Sequence, residues 1–162
     1  MRVTLGPRTY DLTTRALVLG TVEGAESEGA DLAEQVVPGD PAAVPLVAEA
    51  ADAAAVDAAL AAGAALLRLT GPTTADAYRR CAAAGVAVLV PAGAVHEARA
   101  AGLGADRVLP DTLLIDVTGA AAPLAVTVVA VIRGARIVRT DDVRAARRVC
   151  DVLAAILEAG DQ

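Results

Sequence analysis

Apart from its beginning, the chain repeats one phrase: a short apolar run rich in Val, Ile and Leu, a loop of small or acidic residues, then an Ala-rich stretch that stops at a glycine. Such alternation is the grammar of β/α units. Residues 3–5 and 9–12 predict a small hairpin turning through Gly6-Pro7. The first apolar run, 16–22, leads into an acidic and weakly structured loop, 23–29, and 31–37 counts as a worn second unit. A strand at 44–47 precedes a helix over 52–62 closed by Gly63, a position where a left-handed residue is easiest for glycine. Another strand spans 65–69, and Thr73 or Thr74 caps a helix to Ala84 that Gly85 closes. Residues 86–90 form a strand that Pro91 ends, 94–101 a short helix, and 107–109 and 113–117 two further strands. Residues 124–132 suit either strand or buried helix by pattern, and their place before Gly134 and another apolar run favours helix. The last strand covers 136–139. Thr140 or Asp141 then caps a final amphipathic helix to about Glu158, with Val143, Ala146, Val149 or Cys150, Leu153 and Ile156-Leu157 at helical spacing.

Counting the worn unit, the phrase occurs about seven to eight times, which gives mostly parallel strands in an α/β fold. A chain of 162 residues fits one domain, 1–162. Closed barrels of this kind run to about 250 residues, so the expected architecture is a reduced (β/α) TIM-like barrel, either closed and lean or left incomplete. A missing helix between Leu109 and Leu113 accounts for part of the saving.

Composition narrows the picture. Hydrophobic residues make up 56%, mostly Ala, Val and Leu, without Phe or Trp, so burial per residue is modest and an oligomer is expected. No apolar run approaches the roughly 20 residues of a membrane helix. The first residues lack the pattern of a secretion signal, which makes the expected location cytoplasmic. A formal charge of −6 argues against nucleic acid and anionic membranes as partners. All basic residues are Arg, and the absence of Lys beside abundant Ala, Arg, Gly and Val points to a high-GC genome such as an actinobacterium's. Cys81 and Cys150 lack metal-ligand spacing and read as small core residues, and His96 reads as a surface residue at a helix start. No metal site, dinucleotide fingerprint or nucleophile elbow is present.

Three segments carry a resemblance to the dihydropteroate synthase family, also called the pterin-binding domain. "YDLTTRALVLG" (10–20) looks like the start of that family's first strand, and "VPLVAEAADAAAVDAALAAGA" (44–64) follows its VPVSVDT pattern, Ala-rich helix and AGA. "GARIVRTDDVRAARR" (134–148), the most specific match, is similar to its closing GA-x-I-V-R-V-H-D-V segment. The resemblance implies a transferase reaction of folate biosynthesis, in which p-aminobenzoate displaces diphosphate from a hydroxymethyl-dihydropterin diphosphate. Such a site needs polar groups paired with the pterin edge and cations for the departing diphosphate.

Position by position, the resemblance implies ligand contacts at Glu49 (the pterin aspartate of SVDT), Asp111 or its rival Asp116 (the aspartate of DPG) and Arg139 (toward phosphate). Other motif positions are altered. Glu23 replaces the Asn of NxTPDSF that helps hold Mg²⁺ and phosphate, Arg68 replaces the Asn of IND, and Asp141 replaces the closing His. The Ser-Arg-Lys segment has no counterpart. An acid beside a phosphate site has the wrong sign. The expectation is therefore a catalytically degenerate homodimer, a pseudoenzyme without a cofactor, which binds a pterin-like small molecule or regulates. The alternatives are an active synthase and a structural interaction module without a pterin site.

Overall fold

A computed structural model describes residues 1–34, 44–71 and 74–160. The chain falls into two compact units, Met1–Tyr10 with Pro45–Thr112 and Asp11–Val44 with Leu113–Gln162. In the first unit, β1 (Arg2–Leu5) and β2 (Arg8–Asp11) pair as the expected hairpin, with Gly6 at φ +57 in the turn. Three helices then alternate with four strands: β5 (Val47–Ala50), α1 (Ala53–Ala61), β6 (Leu66–Leu69), α2 (Ala75–Ala84), β7 (Ala87–Val90), α3 (Val95–Ala100) and β8 (Val108–Pro110). The strands pair in parallel in the order β5-β6-β7-β8.

The strand expected at 44–47 lies three residues later. Pro45 has no N–H to give a ladder, and pairing with β6 begins only at Val47, opposite Leu66. The start of α2 falls on an expected cap, whereas Asp52, expected as the first residue of α1, lies just outside that helix and caps it. Asp52 Oδ1 accepts from Ala55 N at 2.8 Å to start α1, and Thr74 Oγ1 accepts from Ala77 N at 3.5 Å to start α2. Thr73 lies outside the described residues. Gly85 ends α2 at φ +68, a conformation that costs other residues strain. The core between these helices and the sheet is built largely from Ala and Val around Leu67, Leu69 and the buried Tyr78. Cys81 is buried there, and His96 is exposed on α3.

The second unit contains β3 (Leu17–Gly20), β4 (Leu32–Ala33), β9 (Leu114–Asp116), α4 (Pro123–Ile132), β10 (Ile137–Thr140) and α5 (Val143–Gly160). Its parallel sheet has the order β4-β3-β10-β9, which sets the first strand of the sequence's repeating phrase beside the last. The worn second unit is thus a genuine strand, β4, and residues 35–37 of it lie outside the described residues. Residues 124–132 are helical as expected, with Pro123 in the first turn. Between β8 and β9 a single 3₁₀ turn, Asp111–Leu113, stands where a full unit would carry a helix.

Two expectations are corrected in this unit. The acidic loop 23–29 contains an ordered 3₁₀ turn, Ala25–Glu28, because Ala25 is fully buried against Gly20. The final helix is capped by neither Thr140 nor Asp141: Ala145 N donates to Asp142 Oδ1 at 3.1 Å, and Thr140 Oγ1 accepts from Asp142 N. The buried face of α5 is Val143, Ala146, Cys150 and Leu153, while Ile156 is exposed.

Candidate functional site

In parallel β/α folds, ligands meet the carboxyl ends of the strands, so polar residues there on the sheet face opposite the helices are the first candidates. Side chains alternate along a strand. In the second unit Val18 and Val138 pack with the helices, which leaves Arg139 on the opposite face near the end of β10. Asp116 ends β9 directly beside it in register, and Glu34 follows the last residue of β4. These three residues form one cluster.

Arg139 donates from Nε to Glu34 Oε1 at 2.6 Å and from Nη2 to Glu34 Oε2 at 2.9 Å. Its Nη1 donates to Asp116 Oδ2 at 2.7 Å and to Thr118 Oγ1 at 3.3 Å. Both edges of the guanidinium are therefore occupied by carboxylates of the same chain. Hydrogen bonding to Glu34 raises the guanidinium pKa, against a lesser opposing effect of burial. Partial burial by itself raises the Asp116 carboxyl. Hydrogen bonds from the Thr118 hydroxyl (2.6 Å) and amide (3.0 Å), together with Arg139, outweigh it and hold Asp116 below its ordinary range. Two carboxylates against one guanidinium leave the cluster net negative.

The first unit repeats the arrangement in smaller form. Leu67 and Leu69 pack toward the helices, so Arg68 lies on the opposite face of β6, opposite Glu49 of β5 in register. Arg68 Nη1 donates to Glu49 Oε1 at 2.6 Å. Two positions that the sequence set apart, one as a ligand contact and one as an altered motif residue, are thus each other's partner.

Of the remaining expected site residues, Glu23 is an exposed turn residue and Asp141 an exposed residue before α5. Asp111 sits half-buried in the 3₁₀ turn after β8, in the other unit from Asp116 and Arg139. Among the described residues no group of three or more His, Cys, Asp or Glu could hold a metal. Glu34 and Thr118 escaped the sequence reading. Thr118 carried a usable signal: Asp116-Val117-Thr118 has the same spacing as Asp11-Leu12-Thr13, where Thr13 also donates to Asp11 through its amide and hydroxyl.

Strands, helices and the strand-end cluster together define an α/β protein of parallel β/α units. Solved structures with this fold include dihydropteroate synthases. The enzyme from Vibrio fischeri ES114 superposes with a TM-score of 0.74 at 14% identity, covering 98% of each chain. Dihydropteroate synthase from Thermus thermophilus, in complex with 6HMPPP, gives 0.74 at 19% identity over 96% of this chain and 100% of that one. Mycobacterium tuberculosis Rv1207 gives 0.77 at 21% identity over 95% and 97%. No family model matches the sequence, nor does any curated protein. The likeness establishes a dihydropteroate synthase-like fold. No helix among the described residues is long and apolar enough to cross a membrane.

Proposed function

We propose that this chain is a non-catalytic protein on the dihydropteroate synthase fold, with a binding or regulatory role connected to folate biosynthesis. The observation that carries this reading is the occupation of Arg139 by Glu34 and Asp116. Displacement of diphosphate needs cations free to meet the leaving group. Here the arginine left by the resemblance is neutralised internally, and the sequence contains no Lys to replace it.

Glu49, half-exposed at its strand end and already oriented by Arg68, is the carboxylate available to a pterin-like ring, with Asp111 as a second candidate. Its pairing also supports the rival reading of an interaction module whose pocket is lost. Steady-state assay with hydroxymethyl-dihydropterin diphosphate and p-aminobenzoate is expected to show no turnover, and a rate above the uncatalysed reaction would defeat the proposal. Calorimetry with unphosphorylated pterin and dihydropterin separates the other two readings: saturable heat supports ligand binding, and its absence supports the module.

The proposal includes a cytoplasmic homodimer. α4 carries no charged side chain, and its Leu124, Val126, Val129 and Ile132 are exposed, as are Val152 and Ile156 of α5. Exposed apolar side chains gathered on consecutive helices mark an association surface. A second copy of this chain, offering the same uncharged α4, would cover it without bringing like charges together.

A further inference from the structure

We propose that Glu34 and Asp116 serve as an internal anion, which occupies Arg139 and makes this strand-end cluster reject phosphorylated ligands while admitting uncharged or cationic ones. The inference rests on the binding role proposed above and adds the class of ligand. A guanidinium presents its donors as a rigid fork that suits a carboxylate and a phosphate equally well. Glu34 takes one edge of that fork in bidentate geometry, at 2.6 and 2.9 Å, as an incoming phosphate would. Asp116 takes the adjoining nitrogen at 2.7 Å, and it is itself held in place by two hydrogen bonds from Thr118.

A phosphoryl group approaching Arg139 therefore meets two penalties. It must displace a bidentate carboxylate that belongs to the same chain and so faces no entropic cost of association. It must also enter beside carboxylates that outnumber the guanidinium, where like charge repels it. An uncharged ligand meets neither penalty, and a cationic one is attracted. The side chains are not sealed off, since Arg139 and Glu34 are each 23% exposed and Asp116 is 41% exposed. What closes the cluster to anions is its chemistry, since solvent still reaches it.

The test uses inorganic diphosphate as the probe, with the full chain and isothermal calorimetry. The wild type is expected to give no saturable heat, and E34Q/D116N, which keeps side-chain shape while freeing the guanidinium from both charges, to bind at least tenfold more tightly. Adding Arg139→Gln to that double variant should abolish the gain. Should the double variant lose its folded circular dichroism, E34Q alone is measured against the same criterion. Wild type binding diphosphate as tightly as the variant overturns the inference, and so does a folded variant without any gain. The synthase assay tells the two proposals apart: wild-type turnover defeats the non-catalytic reading, whereas absent turnover with no gain in the variant defeats only the internal anion.

Discussion

Arg147 of α5 is ion-paired through Nη1 to Asp31 Oδ2, and the two side chains are only 12% and 11% exposed. Asp31 stands just before β4, where its Oδ2 also accepts from Val18 N at 2.9 Å and its Oδ1 from Arg15 at 2.9 Å. Arg147 extends the network to Asp151 at 2.8 Å. A buried pair contributes little net stability, but deleting one partner strands the other charge away from water. Asp31→Ala should therefore destabilise the protein by about 3 to 5 kcal/mol, whereas Arg15→Ala, at a half-exposed partner, should cost under about 1 kcal/mol. Urea denaturation of both variants checks the contrast, and equal losses would show that the burial of the pair is immaterial.

Gly20 ends β3 at a point where a side chain has no room. A Cβ there would lie 2.3 Å from Ala25 Cβ and 2.9 Å from Val143 Cγ2. Gly20→Ala must push apart the buried 3₁₀ turn and the start of α5, and overpacking of this kind costs about 1 to 3 kcal/mol. A lowered thermal midpoint is expected, and pairing it with Ala25→Gly should recover part of the loss.

The two units differ in how much of them the sequence reveals, and the reason is range. Asp52, Thr74, Gly63 and Gly85 mark helix ends through bonds to residues a few positions away, so α1 and α2 are legible from local pattern. Glu34 reaches its partner across 105 residues, and only because the sheet order places β4 beside β3 and β3 beside β10. No local rule singles it out. The acidic run 23–29 misleads in the opposite direction: its carboxylates suggest a solvated loop, while the small Ala25 among them does the packing. The family resemblance singles out Arg139 as a basic residue of interest, but a motif position carries no information about which anion the side chain meets.

Acid should act on Asp116 in a defined window. Its folded pKa lies below the ordinary carboxylate value, so its contribution to stability is present above about pH 4 and is lost as pH falls through the folded value. The difference in unfolding free energy between wild type and Asp116→Asn should be constant above about pH 5 and shrink in more acidic buffer. At 41% exposure the whole effect should stay under about 1 kcal/mol. A difference that grows on acidification would contradict the assigned direction.

Burial pushes the Cys150 thiol up to about 11, with lesser influences from the Arg147–Asp31 network beside it. The reactive species is the thiolate, so at pH 8 native Cys150 should react with a disulfide reagent about 100-fold more slowly than a free thiol of ordinary pKa. Cys81, also buried and raised by desolvation, should likewise react more slowly than a free thiol. Both thiols should label promptly in urea. A thiol pKa raised by folding leaves stability unaffected below about pH 7.5, where both states are protonated, and destabilises the native state as pH climbs through the ordinary thiol value of about 8.5 toward 11. Rapid native labelling at pH 8 would mean that the helix carrying Cys150 opens easily.

The exposed apolar surface of α4 gives the last expectation. Val129 is 49% exposed near the middle of the helix, flanked one turn away by Val126 and Ile132, at 38% and 64%. On the opposite side of the same helix Thr127 and Val131 are buried, and the Thr127 hydroxyl returns a hydrogen bond to Pro123 O at 2.8 Å, so the helix is anchored without the exposed stripe. A charge at Val129 should therefore leave the fold intact yet be intolerable in an apolar contact between copies, where it would be buried without a partner. Light scattering is expected to give a dimer for the wild type and a monomer for Val129→Glu, with circular dichroism unchanged. A wild type that remains monomeric at high concentration would remove α4 as a self-association surface.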